Sequence, residues 1–231
     1  MRRFVLILVV VAWFVGVSPS TTAAQSAGSA ALPAPSSPIP RTIDGVAARI
    51  EDDILTESEV RELGAFQQLV DGQSKPRADL IRELGDQWIV RGEATAAKYP
   101  QPSEEDVDHA YAQLAARFSS PEEFKSRCTA VGLTENEIHR LLSQQLYLAR
   151  FLDYRFRPAA QIDQKEIESY YNDELVPELK SRGQQIPTLD DVEDTIREVL
   201  VQRAISERAA QWLEETRARL KIDVLASEGR P

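Results

Sequence analysis

Along most of the chain apolar residues recur at helical spacing, and only near the two ends of the body does the pattern shorten to alternation. Val46-Ala47-Ala48-Arg49-Ile50 alternates, Glu51-Asp52-Asp53 is turn-like and Ile54-Leu55 returns, which predicts a hairpin over 46–55. Thr56 with Glu59 forms a capping box and opens a helix to about Val70, which Gly72 to Pro76 ends. Leu80, Ile81, Leu84, Trp88 and Ile89 make the stripe of a second helix from Arg77 to about Lys98, stopped by Pro100 and Pro102. Ser103 with Asp106 starts a third helix that reaches about Phe118. Ser120-Pro121 starts a fourth, with Phe124, Cys128 and Val131 in line before Gly132. Thr134 with Glu137 opens a fifth helix to about Phe156, and Asp163 with Glu166 a sixth to about Arg182, where Pro177 kinks or ends it. Thr188 with Asp191 opens the longest, through Leu220. Leu220 to Leu225 alternates again, and a strand at 220–225 has an open edge to pair with on the N-terminal hairpin. The fold class is therefore mainly α: a multi-helix body over 43–226 with a short β-hairpin joined by the C-terminal strand.

The first 42 residues follow other rules. Met1-Arg2-Arg3 is basic, Phe4 to Val17 is almost unbroken apolar, and Thr22-Ala23-Ala24 offers small residues for cleavage, so residues 1–24 read as a secretory signal peptide. The apolar run falls short of the roughly 20 residues that a spanning helix uses; an uncleaved anchor in the inner membrane is the alternative. Residues 25–42, rich in Ala, Ser and Pro, read as a solvated tether, and 227–231 as a disordered tail. Such a leader implies export.

Charge and chemistry narrow the function. The formal net charge is -10, and loss of two arginines with the first 24 residues takes it to -12, a sign that repels nucleic acid and anionic lipid. Cys128, the one cysteine, can close no internal disulfide, and its helical spacing reads as core. With only two histidines, His109 and His139, no metal site is expected. The acidic start of the last helix, Asp190 to Asp194, is explained by the helix dipole. No glycine-rich phosphate loop is present, and the reading contains no cofactor, no metal and no catalytic residue.

The fifth helix has two apolar faces. Ile138, Leu142, Ala149, Leu152 and Phe156 fall together, flanked by Leu141 and Leu148, while Tyr147, Phe151 and Tyr154 fall opposite. Either the long C-terminal helix covers those rings, or they form an aromatic patch for unfolded or extended polypeptide. Gly85 and Gly92, inside the second helix, suggest close approach of a neighbouring element, with a hinge as the alternative.

These pieces, in order, resemble the SurA-type periplasmic chaperones, relatives of the parvulin-linked foldases. The resemblance is carried by Val46 to Val60, Ser103 to Asp108, Pro121 to Phe124, Gly132 to Glu135, Ile162 to Tyr171, and Arg203 to Leu225, and covers about residues 43–226. It implies a chaperone body that holds unfolded exported chains, outer-membrane β-barrel precursors among them, without ATP. In that family one or two isomerase domains of roughly one hundred residues usually precede the last helix; here the interval is Gly183 to Pro187, no Gly-Gly pair occurs, and no histidine lies in an apolar strand. The resemblance thus implies the chaperone module without prolyl isomerase activity. Glu51 stands where relatives commonly have asparagine. Two alternatives stay open: an assembly adaptor or scaffold in the envelope, soluble or membrane-tethered, and an enzyme, either a divergent prolyl isomerase or a hydrolase using paired carboxylates. Homo-oligomerisation is also left open.

Overall fold

The computed structural model describes residues 44–225; the expected signal peptide, tether and tail lie outside the described residues. The mainly helical architecture with an N-terminal hairpin and a C-terminal strand is as the pattern predicts. In chain order the elements are β1 (Val46–Ile50), β2 (Asp53–Thr56), α1 (Glu57–Asp71), α2 (Arg77–Ala96), α3 (Glu104–Ala115), α4 (Pro121–Val131), α5 (Glu135–Phe156), a 3-10 turn (Arg157–Ala159), α6 (Gln164–Tyr170), a π-helical turn (Tyr171–Leu175), α7 (Val176–Ser181), α8 (Leu189–Arg217) and β3 (Ile222–Val224). All five capping boxes form: Thr56, Ser103, Thr134, Asp163 and Thr188 each accept from the backbone three residues on, and the acid there accepts in return. Gly72 and Gly132 close α1 and α4 at φ of +73° and +75°, where a β-carbon would strain the chain.

The sheet order is β2-β1-β3, both pairs antiparallel, so the two ends of the body meet on the central strand β1. Ile50 faces Asp53 on one side and Ile222 on the other, and a bulge between Val46 and Ala48 adjusts the hairpin register. Glu51 takes φ +51° in the hairpin turn. Its N–H donates to the Lys221 carbonyl at 3.0 Å, and its Oε1 accepts from the Lys221 N–H at 2.7 Å. Glutamate thus serves at this position by reaching the chain that enters β3.

Three apolar clusters hold the helices. The first joins the inner sheet face (Ala48, Ile50, Leu55) to Val60 and Leu63 of α1 and Leu80, Ile81 and Leu84 of α2. The second gathers α1, α3, α4 and the first half of α5 around Phe66, Leu114, Phe124, Cys128 and Ile138. The third places Tyr147, Leu148, Phe151 and Leu152 of α5 against Ile89, Val90 and Ala94 of α2 and Ala209 and Leu213 of α8. Helix α5 runs through two of these clusters, which is why it is apolar on more than one side. Close approach occurs at Gly64, where a β-carbon would lie 2.9 Å from Ser74 Oγ and 3.2 Å from Leu80 Cδ1. The reading at Gly85 and Gly92 is corrected: Gly85 would meet Ile50 Cδ1 at an ordinary 3.6 Å, and nothing lies within 4 Å of a β-carbon at Gly92.

Candidate functional site

The aromatic face of α5 is set by the end of α2. Lys98 adopts φ +53°, and the Tyr99 N–H donates back to the Ala94 carbonyl at 2.9 Å, a left-handed helix closure made without glycine. The reversal lays Tyr99 on α5, its ring centroid 6.0 Å from Tyr147, 5.6 Å from Phe151 and 5.3 Å from Tyr154. Tyr147 Oη donates to the Tyr99 carbonyl at 3.4 Å, and Tyr99 Oη to the Arg150 carbonyl at 3.2 Å. Tyr147 and Phe151 are consequently 5% and 1% exposed, while Tyr154 is 64% exposed. Of the two alternatives for this face, burial holds for Tyr147 and Phe151, because Tyr99 and α2 cover them together with α8, and Tyr154 alone of the three reaches solvent. Ala149, placed by spacing on the core stripe, is exposed. Sequence reasoning missed Tyr99, whose signal, a lysine in the left-handed position, reads as an ordinary loop residue.

A concave surface lies elsewhere, between α6 with its π-helical turn and α8. This open cleft of about 560 Å³ has an apolar floor of Ile162, Tyr170, Leu200 and Ala204. The helices are tied at both ends of it: Arg197 Nη1 donates to the Ile162 carbonyl at 3.4 Å, and Arg203 makes paired bonds to Glu174 at 2.8 and 2.9 Å. The Arg203 guanidinium also lies 5.3 Å from the Tyr170 ring centroid. Bonding to Arg203 holds the Glu174 carboxyl below its ordinary range, and burial raises the Tyr170 phenol. Tyr171 Oη donates to the Pro187 carbonyl at 2.7 Å, fastening the α7–α8 connection beside the π-helical turn. Pro177 does not end the helix here: the Val176 N–H bonds five residues back, to the Tyr171 carbonyl, and the helical path continues past the proline as α7.

A second cleft, about 400 Å³, lies between the end of α1 and α4 and is lined by Leu69, Phe118 and Val131 with Gln68, Glu123 and Arg127. Cys128 is buried, and burial raises its thiol. His139 stacks on Tyr111 at 4.3 Å, donates from Nδ1 to the Glu135 carbonyl at 2.9 Å, and sets Nε2 3.4 Å from Asp108. Among the described residues no three His, Cys, Asp or Glu gather as a metal site, and no helix is long and apolar enough to cross a membrane. Compared with known proteins, the chain matches no protein-family model and no curated sequence.

Proposed function

We propose that this protein is an ATP-independent chaperone of the periplasm that holds unfolded exported polypeptides, outer-membrane β-barrel precursors in particular, and has no prolyl isomerase activity. The observation that carries the reading is the α6–α8 cleft: an open concavity in which one aromatic ring and three aliphatic side chains form the floor. Reversible capture without nucleotide needs such a surface, because apolar contact is non-directional and accepts many sequences. The SurA-type resemblance of the sequence supports the same reading, with the cleft replacing the α5 rings as the capturing surface. Only Gly183 to Pro187, with Gly183 at φ +64°, stands where that family inserts its isomerase.

The test is light scattering from a urea-denatured outer-membrane barrel diluted into buffer with the full chain, secreted and purified. Near-equimolar protein is expected to suppress scattering. Leu200→Asn should weaken suppression several-fold with an unchanged circular-dichroism spectrum, because Leu200 is a half-buried floor residue. Unhindered precipitation in the presence of the wild-type chain would refute the proposal. Acceleration of proline-limited refolding would refute its isomerase-free part.

A further inference from the structure

The floor of the α6–α8 cleft is apolar, but its rim is not neutral. Asp163 and Glu166 stand at the start of α6, Asp173 in the π-helical turn and Glu207 on α8, all exposed. Glu174 is matched by Arg203 through two bonds, and Lys165 is the one further cation of the lining. Asp163 and Glu166 are committed to the capping box of α6, so once the Arg203–Glu174 pair cancels two uncommitted carboxylates, Asp173 and Glu207, face one ammonium. Asp173 and Glu207 have no hydrogen-bond or ion-pair partner among the described residues, so their charge is available to whatever enters. A segment with acidic side chains would meet like charge there. One with lysine or arginine beside apolar residues satisfies floor and rim together.

We infer that the cleft selects extended polypeptide segments in which lysine or arginine alternates with apolar residues, and rejects the acidic equivalents. This deepens the proposed function by naming the client chemistry, and it rests on that reading. The cations engage Asp173 and Glu207, while the intervening apolar side chains lie on Leu200, Ala204 and Ile162. At about 0.15 M salt the screening length is about 8 Å, so rim charges act on a seated segment and only weakly at a distance.

The experiment is fluorescence anisotropy with the full chain and two labelled peptides of equal length, one alternating lysine with leucine, the other glutamate with leucine. The cationic peptide is expected to bind at least about tenfold more tightly. The chain is acidic overall, so two charge-matched double variants separate the cleft from the general field. Asp173→Asn with Glu207→Gln should weaken the cationic peptide several-fold. Glu104→Gln with Glu105→Gln, at the start of α3 and outside the cleft lining, should not. Equal loss in both doubles, or equal affinity for both peptides, would overturn the inference. The barrel-scattering assay reports separately on the chaperone reading: suppression without charge preference sinks only this inference, and cleft-dependent peptide binding without suppression sinks only the chaperone.

Discussion

Tyr147, Phe151 and Tyr154 lie within eight positions of one helix and have different fates. Phe151 is among the most deeply buried large side chains, and Tyr154 meets water on most of its surface. Phe151→Ser should therefore cost about 3–5 kcal/mol, as large-to-small core changes do. Tyr154→Ser should stay near 0.5 kcal/mol. Urea unfolding of the two single variants measures both. The spacing of these rings was legible in the sequence, as was the existence of a second apolar face. What covers that face was not, because the covering ring belongs to Tyr99, and its placement depends on one backbone reversal at Lys98. A pattern of side-chain types carries no record of a lysine held at positive φ. Glu51 shows the same limit: its side-chain bond to Lys221 joins positions 170 residues apart.

The elements themselves were legible because six of the eight α-helices carry their own start signal. Five boxes of Ser, Thr or Asp with Glu or Asp three residues on mark five N-termini, and α4 is marked by Ser120-Pro121. The π-helical turn and the cleft beside it were not, since both depend on how α6 lies along α8. Another joint between elements carries a pH signature. Asp86 of α2 lies 3.2 Å from Arg217 Nε of α8, but that N–H donates to the Leu213 carbonyl, leaving Asp86 Oδ1 buried without a hydrogen bond. Burial pushes the Asp86 carboxyl up to about 6, against the pull of Arg217 and Arg82. The folded state therefore binds this proton more tightly than the unfolded chain does. The stability contributed by this group is fully present below the ordinary carboxylate range and is lost as pH rises through about 6. The effect of Asp86→Asn on unfolding free energy should be more favourable at pH 7.5 than at pH 4, by up to about 3 kcal/mol. Denaturant unfolding at the two pH values tests this. Equal effects at both would show that Asp86 ionises as freely in the folded state as in the unfolded one. Glu198 runs the other way: Arg157 holds it down to about 2, so its contribution is present at neutral pH and is lost as pH falls from the ordinary carboxylate range through about 2.

For the whole molecule, the decisive contact is between its ends. The central strand β1 is flanked on one side by β2, reached through a short turn, and on the other by β3, supplied after the whole helical body has been made. This pairing was legible because both ends alternate and each lacks a partner of its own. Ending the chain after Lys221 would remove the half-buried Ile222, the β1–β3 ladder and the bond from the Leu225 N–H to the Ala47 carbonyl. The expected loss is at least about 2 kcal/mol, measured as a lower urea midpoint with most helical ellipticity retained while the chain stays folded. A further consequence concerns timing. Whether the polypeptide leaves a ribosome or threads through a narrow passage, its first strand arrives early and its last latch arrives at the end. Until Ile222 to Val224 follow, one flank of β1 stays open, and that pairing is deferred until the helical body has been delivered.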